Sequence, residues 1–450
     1  MGAIRVRDLR GEHDLRAVSL PRAELGLQAA TAGVRALVDD VRARGLEAIT
    51  ELSERFDGVR PAQLRVPPGV IQNALSELDP SLLAGFEEAI RRVRCVHRDG
   101  RPEEHTTTLA PGATILQRWI PVRRVGTYAP GGGALYPTSV LMNVIPAQEA
   151  GVASIAIASP PQRGHAGLPD ANVLAVAGLL GIDEVYAVGG AQAIAMFAYG
   201  VRERSGAPLC EPVDMVTGPG NVWVTAAKRL LQGVVGIDTE AGPSEIMILA
   251  DAGAEPDWLA ADLISQAEHD VLAAAVLVTD SEALAKAVID RLDARVPAAK
   301  HSERIRTALA GSQSAIILVR SLEQGLEVID AHAPEHLEIH AQDAAELARR
   351  VRNAGVIFVG PYAPVALGDY CAGSNHVLPT GGSAKYAAGL SAHSFLRNVQ
   401  VVQYDRQALS EVAGHVRDLA DAEGLPAHGA AIAARFTDGG DGETASAPGR

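Results

Sequence analysis

Ser154-Ile-Ala-Ile-Ala-Ser159 decides the fold, because this short apolar run predicts a strand that is buried on both faces. Asp170 has the side chain of a helix N-cap, and the helix it begins is predicted to reach Leu180. Glu184-Val-Tyr-Ala-Val188 is the next apolar strand, and a second helix is predicted over 191–199. Apolar strands that alternate with helices of this length are typical of a parallel sheet covered on both sides.

The same alternation of strand and helix restarts after residue 244. Upstream, apolar residues at helical spacing predict helical structure over 26–57. So many strands do not fit one small sheet, and we therefore predict an α/β protein with two parallel-sheet domains. One domain is predicted to be inserted in the other, with crossings near 127–130 and 240–244. Downstream strands are predicted at 246–250, 273–279, 315–319 and 356–359, and helices at 256–267, 282–294, 322–331 and 344–354.

The composition is that of a globular protein and argues against several classes of partner. Of the 450 residues, 47% are hydrophobic and 21% are charged, which is ordinary for such a protein. A net charge of −14 argues against nucleic acid or an anionic membrane as the main partner. The cysteines Cys95, Cys210 and Cys371 form no CxxC pair, so neither a disulfide framework nor a Cys zinc finger is indicated. Because no signal-like or membrane-length apolar run is present, we expect a cytoplasmic protein.

A first constellation of polar residues has the character of a metal site. Gln266 and His269 are three residues apart on a predicted helix over 258–268, so their side chains share one face. Zn²⁺ binds imidazole readily and accepts oxygen ligands. Asp369 and His428 are candidates for the remaining ligands. The alternative interpretation of His269 is an ordinary histidine at a helix C-terminus, where a positive charge is favoured.

A second constellation indicates acid/base chemistry. His332-Ala-Pro-Glu335-His336 matches the H-x-x-E-H pattern of inverted zinc peptidases, which needs both histidines on one continuous helix. Pro334 disfavours such a helix by about 3 kcal/mol. We therefore predict that Glu335 and His336 lie in a loop, where a carboxylate beside an imidazole suits general acid/base catalysis. The alternative is a solvated glutamate next to a hydrogen-bonded core histidine.

Three glycine-rich segments each lie between a predicted strand and a helix, where doubly wound sheets bind ligands. They are Tyr128-Ala-Pro-Gly-Gly-Gly133, Gly189-Gly-Ala-Gln192 and Gly218-Pro-Gly-Asn221. None is the G-x-G-x-x-G fingerprint, and no ribose-binding acid is evident at the expected spacing. A single segment would be interpreted as a tight turn. Three of them in one predicted domain favour a cofactor crevice.

A series of ordered segments closely resembles the histidinol dehydrogenase family, from near the N-terminus to about Arg435. The resemblance implies an NAD-dependent, zinc-dependent, four-electron oxidation of L-histidinol to L-histidine through L-histidinaldehyde, the last steps of histidine biosynthesis. The segments are Val125-Gly-Thr-Tyr-Ala-Pro-Gly-Gly, Gly189-Gly-Ala-Gln-Ala-Ile-Ala, Gly218-Pro-Gly-Asn, Glu240-Ala-Gly-Pro-Ser-Glu, Ser265-Gln-Ala-Glu-His, Ala333-Pro-Glu-His-Leu, Gly368-Asp-Tyr and Ser374-Asn-His-Val-Leu-Pro-Thr.

The resemblance also implies a role for each matched residue. Glu335 and His336 correspond to the catalytic acid/base pair of the family. The family's zinc ligands correspond to Gln266, His269, Asp369 and His428. Its NAD contacts correspond to Tyr128, Gln192 and Asn221. Its substrate contacts correspond to Ser244, His336, His376 and Glu423 together with the four zinc ligands.

The family's architecture implies an intertwined homodimer in which Glu423 and His428 complete the active site of the partner subunit. It also implies two incomplete Rossmann-like domains and two small ones. The expected domains are 26–127 with 245–390, the NAD-binding 128–244, 1–25 with 391–411, and a dimer-crossing 412–436. The polar, glycine-rich tail 437–450 is predicted to be disordered.

Two other functional classes and one other mechanism are compatible with subsets of these residues. A metallohydrolase would use the same ligands without NAD, and a metal-binding scaffold would need the glycine segments to be turns only. Cys371 lies two residues from Asp369, where an aldehyde-oxidising enzyme could use a thiol nucleophile. We reject that role for Cys371, because attack by water on the aldehyde needs no thiol and the family does not require a cysteine there.

Overall fold

The computed structural model describes residues 4–14, 22–23, 26–131, 136–240 and 242–436. The strands are β1 (Arg5–Asp8), β2 (His105–Ala110), β3 (Ala113–Pro121), β4 (Arg124–Tyr128), β5 (Ser154–Ser159), β6 (Val185–Ala187), β7 (Val201–Arg202), β8 (Pro208–Cys210), β9 (Met215–Thr217), β10 (Gly236–Ile237), β11 (Glu245–Ala250), β12 (Ala274–Thr279), β13 (Ala315–Leu318), β14 (His336–His340), β15 (Val356–Val359) and β16 (Leu396–Tyr404). The helices are α1 (Leu27–Arg44), α2 (Leu46–Phe56), α3 (Pro68–Ser76), α4 (Pro80–Asp99), α5 (Pro137–Ala150), α6 (Ala171–Leu179), α7 (Gly190–Tyr199), α8 (Val222–Leu231), α9 (Pro256–Ala267), α10 (Glu282–Arg295), α11 (Ser302–Ala310), α12 (Leu322–His332), α13 (Ala344–Arg350), α14 (Val365–Tyr370), α15 (Arg406–Ala422) and α16 (Pro426–Ala433).

Two parallel sheets confirm the predicted α/β fold. The larger sheet has the order β1-β13-β12-β11-β14-β15, and the smaller has the order β10-β9-β4-β5-β6. The chain contributes β1 to the larger sheet, builds the smaller sheet, and then returns at β11, so the smaller sheet is inserted as predicted. All six residues of β11 and all six of β12 are buried, because helices cover both faces of the larger sheet.

The helical region predicted over 26–57 is two helices that break at Gly45. This residue has φ 55°, a left-handed conformation that glycine adopts without steric cost. Helix α1 packs its buried residues against α7 and α8, in the same hydrophobic core as the smaller sheet. Helix α2 then ends at Phe56, and the C-cap residue Asp57 follows it. The first helices of the chain are thus joined to the inserted sheet by packing.

The chain divides into two compact units. The first comprises Met1–Arg101 and Pro121–Phe395, and the second comprises Pro102–Ile120 and Leu396–Arg450. The second unit contains the three-stranded sheet β16-β3-β2 and the packed helices α15 and α16. The predicted four-domain division stays a prediction, and the tail 437–450 lies outside the described residues. Among the described helices, none has the length and apolar character needed to cross a membrane.

Candidate active site

The predicted acid/base pair lies at the amino ends of two neighbouring strands, β11 and β14. Glu335 directly precedes β14, and its Oε2 accepts hydrogen bonds from the Ser244 hydroxyl at 2.7 Å and from the Glu245 amide at 2.9 Å. His336 is the first residue of β14. Glu335 therefore lies in the predicted loop, whereas His336 is fixed by a strand. Glu335 is only 6% exposed, so the alternative of a solvated glutamate is wrong.

The imidazole of His336 is held in one orientation. Its Nδ1 lies 3.1 Å from the backbone oxygen of Glu245 and 3.4 Å from Glu335 Oε2. Both neighbours are acceptors, so Nδ1 carries a proton and Nε2 is left to exchange a proton with a substrate. Burial lowers the pKa of His336, but the charges of Glu335 and Asp369 outweigh burial and raise it to about 9.

The peptidase-like motif is not a helical metal site. Helix α12 ends at His332, and Ala333 has φ 54°, so His332 and His336 do not share a helix. His332 instead places its Nε2 3.3 Å from the buried carboxylate of Glu245. This geometry confirms that the H-x-x-E-H pattern is coincidental here.

Three of the four predicted metal ligands come from neighbouring elements of the first unit. Gln266 is in the last turn of α9, and His269 lies just beyond the helix rather than on it as predicted. His269 Nε2 is 3.9 Å from Asp369 Oδ2, and Asp369 is on α14. The Gln266 side chain is 1% exposed, and its Nε2 has no partner in the described part of the chain. The amide oxygen of Gln266, the imidazole of His269 and the carboxylate of Asp369 are ligand types that a borderline divalent cation such as Zn²⁺ accepts.

His376 lies beside this group. Its Nδ1 is 3.3 Å from the backbone oxygen of Asp369, and its Nε2 is 3.4 Å from the Ser139 hydroxyl. Burial lowers the pKa of His376, although Asp369 opposes this effect. A neutral imidazole in this position is suited to hydrogen bonding with a bound molecule. Ser139, in the first turn of α5, carried no signal in the sequence.

The predicted cofactor residues meet at the carboxyl edge of the smaller sheet. Tyr128 ends β4, and its hydroxyl accepts a hydrogen bond of 3.1 Å from the Gly190 amide. Burial raises the pKa of Tyr128 to about 12, so the phenol is neutral. Gln192 is 2% exposed, and its Nε2 has no partner in the part of the chain that the structure describes. Asn221 caps α8 by accepting from the amides of Trp223 and Val224.

A buried ion pair that the sequence did not predict holds the Gly218 segment. Lys228 and Asp238 form an ion pair in which each side chain is 2% exposed. The Gly218 amide donates to Asp238 at 2.8 Å, and Lys228 donates to the Gly218 carbonyl at 3.1 Å. Both polar groups of this glycine are therefore paired with buried charges, which fixes the loop that precedes α8.

We expect Gly218→Ala to destabilise the protein and weaken cofactor binding. Gly218 has φ 114°, and an added methyl group would overlap the carbonyl of Tyr128. We expect the free energy of unfolding to fall by about 3 kcal/mol in urea denaturation. Gly414→Ala is the matched control, since nothing lies within 4 Å of its added methyl group. Equal stability of the two variants would contradict the proposed constraint.

A second polar cluster lies between helix α9 and strand β14 of the larger sheet. Asp262, Glu338 and His340 each place one potential ligand atom within 4.8 Å of the others. Glu338 accepts from the Val365 amide at 2.6 Å and lies 3.2 Å from His340 Nε2. Burial and Glu338 raise the pKa of Asp262 to about 8. His340 is buried. The alternation of polar residues along His336–His340 was the available sequence signal.

Glu423 and His428 belong to the second unit, described by itself. Glu423 is the C-cap residue of α15, and His428 is in the first turn of α16. Both side chains are exposed. Their role in the active site of a partner subunit stays a prediction.

Comparisons with known proteins agree on one family. The sequence profile described as histidinol dehydrogenase matches residues 20–436. The histidinol dehydrogenase of Thermobifida fusca is 62% identical, covering 95% of this chain and 97% of that protein, and that of Nocardia farcinica is 58% identical, covering 95% and 97%. The crystal structure of histidinol dehydrogenase from Elizabethkingia anophelis superposes with a TM-score of 0.88 at 28% identity, covering 96% of this chain and 98% of that one. The chain belongs to the histidinol dehydrogenase family.

Proposed function

We propose that this protein oxidises L-histidinol to L-histidine through L-histidinaldehyde, using two NAD⁺ in succession and one zinc ion per subunit. Family membership supports an oxidoreductase of histidine biosynthesis. The observation that carries the finer proposal is the buried Glu335–His336 pair, oriented by β11, in the same unit as the Gln266, His269 and Asp369 group.

Bound zinc would supply a Lewis acid that orients the substrate imidazole, and NAD⁺ would accept each hydride. Gln266, His269 and Asp369 would hold the metal, with His428 of the partner subunit. Tyr128, Gln192 and Asn221 would bind the dinucleotide. The neutral His376 and the Ser244 hydroxyl would bind the amino alcohol. We propose a homodimer in the cytoplasm, in which Glu423 also contacts the substrate in the partner subunit.

His336 is the general base in this proposal. Its Nδ1 faces the Glu245 carbonyl and Glu335, so Nε2 is the atom that accepts the hydroxyl proton of the alcohol as hydride leaves its carbon. Glu335 stabilises the resulting imidazolium by charge. In the second oxidation Glu335 helps to activate the water that attacks the aldehyde, and hydride then leaves the hydrated carbon.

One assay tests the proposal and separates it from a metallohydrolase. Purified protein, histidinol and NAD⁺ are mixed with and without a chelator, and the absorbance of the reduced cofactor is followed. We expect reduction of two NAD⁺ per histidine formed, loss of turnover with the chelator, and recovery when zinc is added back. Absence of NAD⁺ reduction with histidinol would contradict the proposal and would leave the metallohydrolase as the alternative.

We expect Cys371→Ser to retain nearly all turnover, within about threefold, because attack by water needs no thiol. Cys371 is the C-cap residue of α14, two residues from Asp369, so a serine there preserves the local backbone. The exposed Cys95 provides a matched control as Cys95→Ser. Steady-state kinetics with histidinaldehyde test the step directly. A loss greater than roughly a hundredfold, without a matching loss in the control, would identify Cys371 as a nucleophile.

A further inference from the structure

The smaller sheet has no acidic residue directly after β5, which is the position at which Rossmann-like sheets usually carry one. In Rossmann-like sheets an acidic side chain at the end of the second strand binds the ribose hydroxyls of NAD. Here β4 is the first strand and β5 lies next to it. Strand β5 is followed by Pro160 and Pro161, and neither offers a carboxylate.

A carboxylate from outside the sheet lies at this place. Asp57 follows α2, whose residues pack in the core of the smaller sheet. A Cβ atom built on Gly189 would lie 2.9 Å from Pro160 and 3.0 Å from Asp57 Oδ1. Asp57, the end of β5 and the loop after β6 therefore meet. The negative charge of Asp57 also contributes to the raised pKa of Tyr128, after burial and against the Gly190 hydrogen bond.

One carboxylate oxygen of Asp57 has no hydrogen-bond donor among the described residues. Its side chain is half-buried, and its Oδ2 is sealed from solvent with no donor in the described part of the chain. Burial raises the pKa of Asp57 to about 6. Gln192 lies after the same loop and is 2% exposed. Its Nε2 is a hydrogen-bond donor that lacks an acceptor in the described part of the chain, so it complements the unpaired oxygen of Asp57. Native proteins leave few buried polar groups unpaired, and such groups often mark a ligand site.

We propose that Asp57 binds the adenosine ribose of NAD⁺ and that its charge excludes NADP⁺. The inference rests on the proposed use of NAD⁺. A ribose 2′-hydroxyl donates to the carboxylate, whereas a 2′-phosphate is repelled by it. Arg163 lies next to Asp57, with its Nε 3.4 Å from the Asp57 carbonyl oxygen. Removal of the Asp57 charge would leave this guanidinium close enough to attract a 2′-phosphate.

Calorimetric titration of the intact enzyme with NAD⁺ and with NADP⁺ tests this role without turnover. We expect the Kd for NAD⁺ to rise roughly tenfold in Asp57→Asn and further in Asp57→Ala, since a charged hydrogen bond is lost. We expect the Kd for NADP⁺ to fall roughly tenfold in both variants, because the repulsion is removed. The Tm of the free Asp57→Asn enzyme is expected to be unchanged or higher, since a buried, unpaired carboxylate is removed.

Glu54→Gln is the matched control, because Glu54 is on α2, the helix that Asp57 follows, and it is exposed and 3.6 Å from Arg60. We expect it to leave both dissociation constants unchanged. A parallel weakening of both cofactors in Asp57→Asn, with a lower Tm, would overturn the inference in favour of a structural role. Unchanged binding of both cofactors would overturn it while leaving the proposed function intact. Failure of the unaltered enzyme to bind NAD⁺ or to reduce it with histidinol would contradict both the Asp57 inference and the proposed function.

Discussion

His336→Asn is expected to lower kcat by roughly 10²- to 10⁴-fold while histidinol and zinc still bind, because the proton acceptor is lost but the metal ligands remain. Asparagine can still donate a hydrogen bond to the Glu245 carbonyl, which His336 Nδ1 contacts at 3.1 Å. The strand start and the neighbouring Glu335 therefore keep their positions. Stopped-flow measurement of the first hydride transfer separates this chemical step from product release.

The pH dependence of kcat/KM provides an independent check on the same residue. A base must be unprotonated, and the pKa of His336 is raised to about 9, so the rate should rise with pH until this group loses its proton. Glu335→Gln removes a nearby negative charge and should move that rise to lower pH. His340→Asn, which changes a buried histidine of the same strand that is not part of the pair, is the matched control. An unchanged kcat in His336→Asn would exclude His336 as the base.

Mixing two inactive variants is expected to restore activity. Glu335→Ala and His428→Ala homodimers should each be nearly inactive. In a heterodimer, the site that keeps Glu335 also receives an intact His428 of the partner subunit. Random exchange of equal amounts makes about half of the dimers mixed, each with one intact site of two, so about a quarter of full activity should return.

The control mixes two variants whose changed residues are proposed to lie in the same subunit's part of the active site. Glu335→Ala mixed with His269→Ala should recover nothing, because both residues are proposed to come from one subunit. Size-exclusion chromatography with mass determination confirms that subunits have exchanged. Absence of recovery in the first mixture, after proven exchange, would contradict the shared site and place His428 in its own subunit's chemistry.

The sequence predicted the layers of the fold because their signals are local. The apolar runs in β5 and β11 are buried, and Asp170 caps its helix. The glycine segments at 189–192 and 218–221 each follow a strand and precede a helix, as predicted, since glycine is required where backbone must turn at a sheet edge. Residues 132 and 133 of the first segment lie outside the described residues. The side-chain contacts made in the loops were harder to predict, because they involve residues that are distant in the chain.

The missed features are long-range pairings. The Lys228–Asp238 ion pair holds a glycine ten residues before Lys228, and no periodicity in the sequence marks it. Asp57 is separated from Gly189 by most of the first two hundred residues, so the absent ribose acid could not be located by spacing. His269 was predicted to lie on a helix, although α9 ends at Ala267. The helix predicted over 256–267 ends where α9 does, so the error was to place His269, two residues further on, on that helix.

The return crossing between the two sheets connects the Gly218 loop, which is proposed to bind the cofactor, to the proposed acid/base residue Glu335. Asp238 receives the Gly218 amide on one side of this segment, and Ser244 donates to Glu335 on the other. Six residues of chain span at most about 20 Å even when fully extended. This short segment therefore limits the distance between the Gly218 loop and the Glu335 carboxylate. In the proposed reaction, this limit keeps the Gly218 loop and Glu335 near each other while one nicotinamide is exchanged for the next.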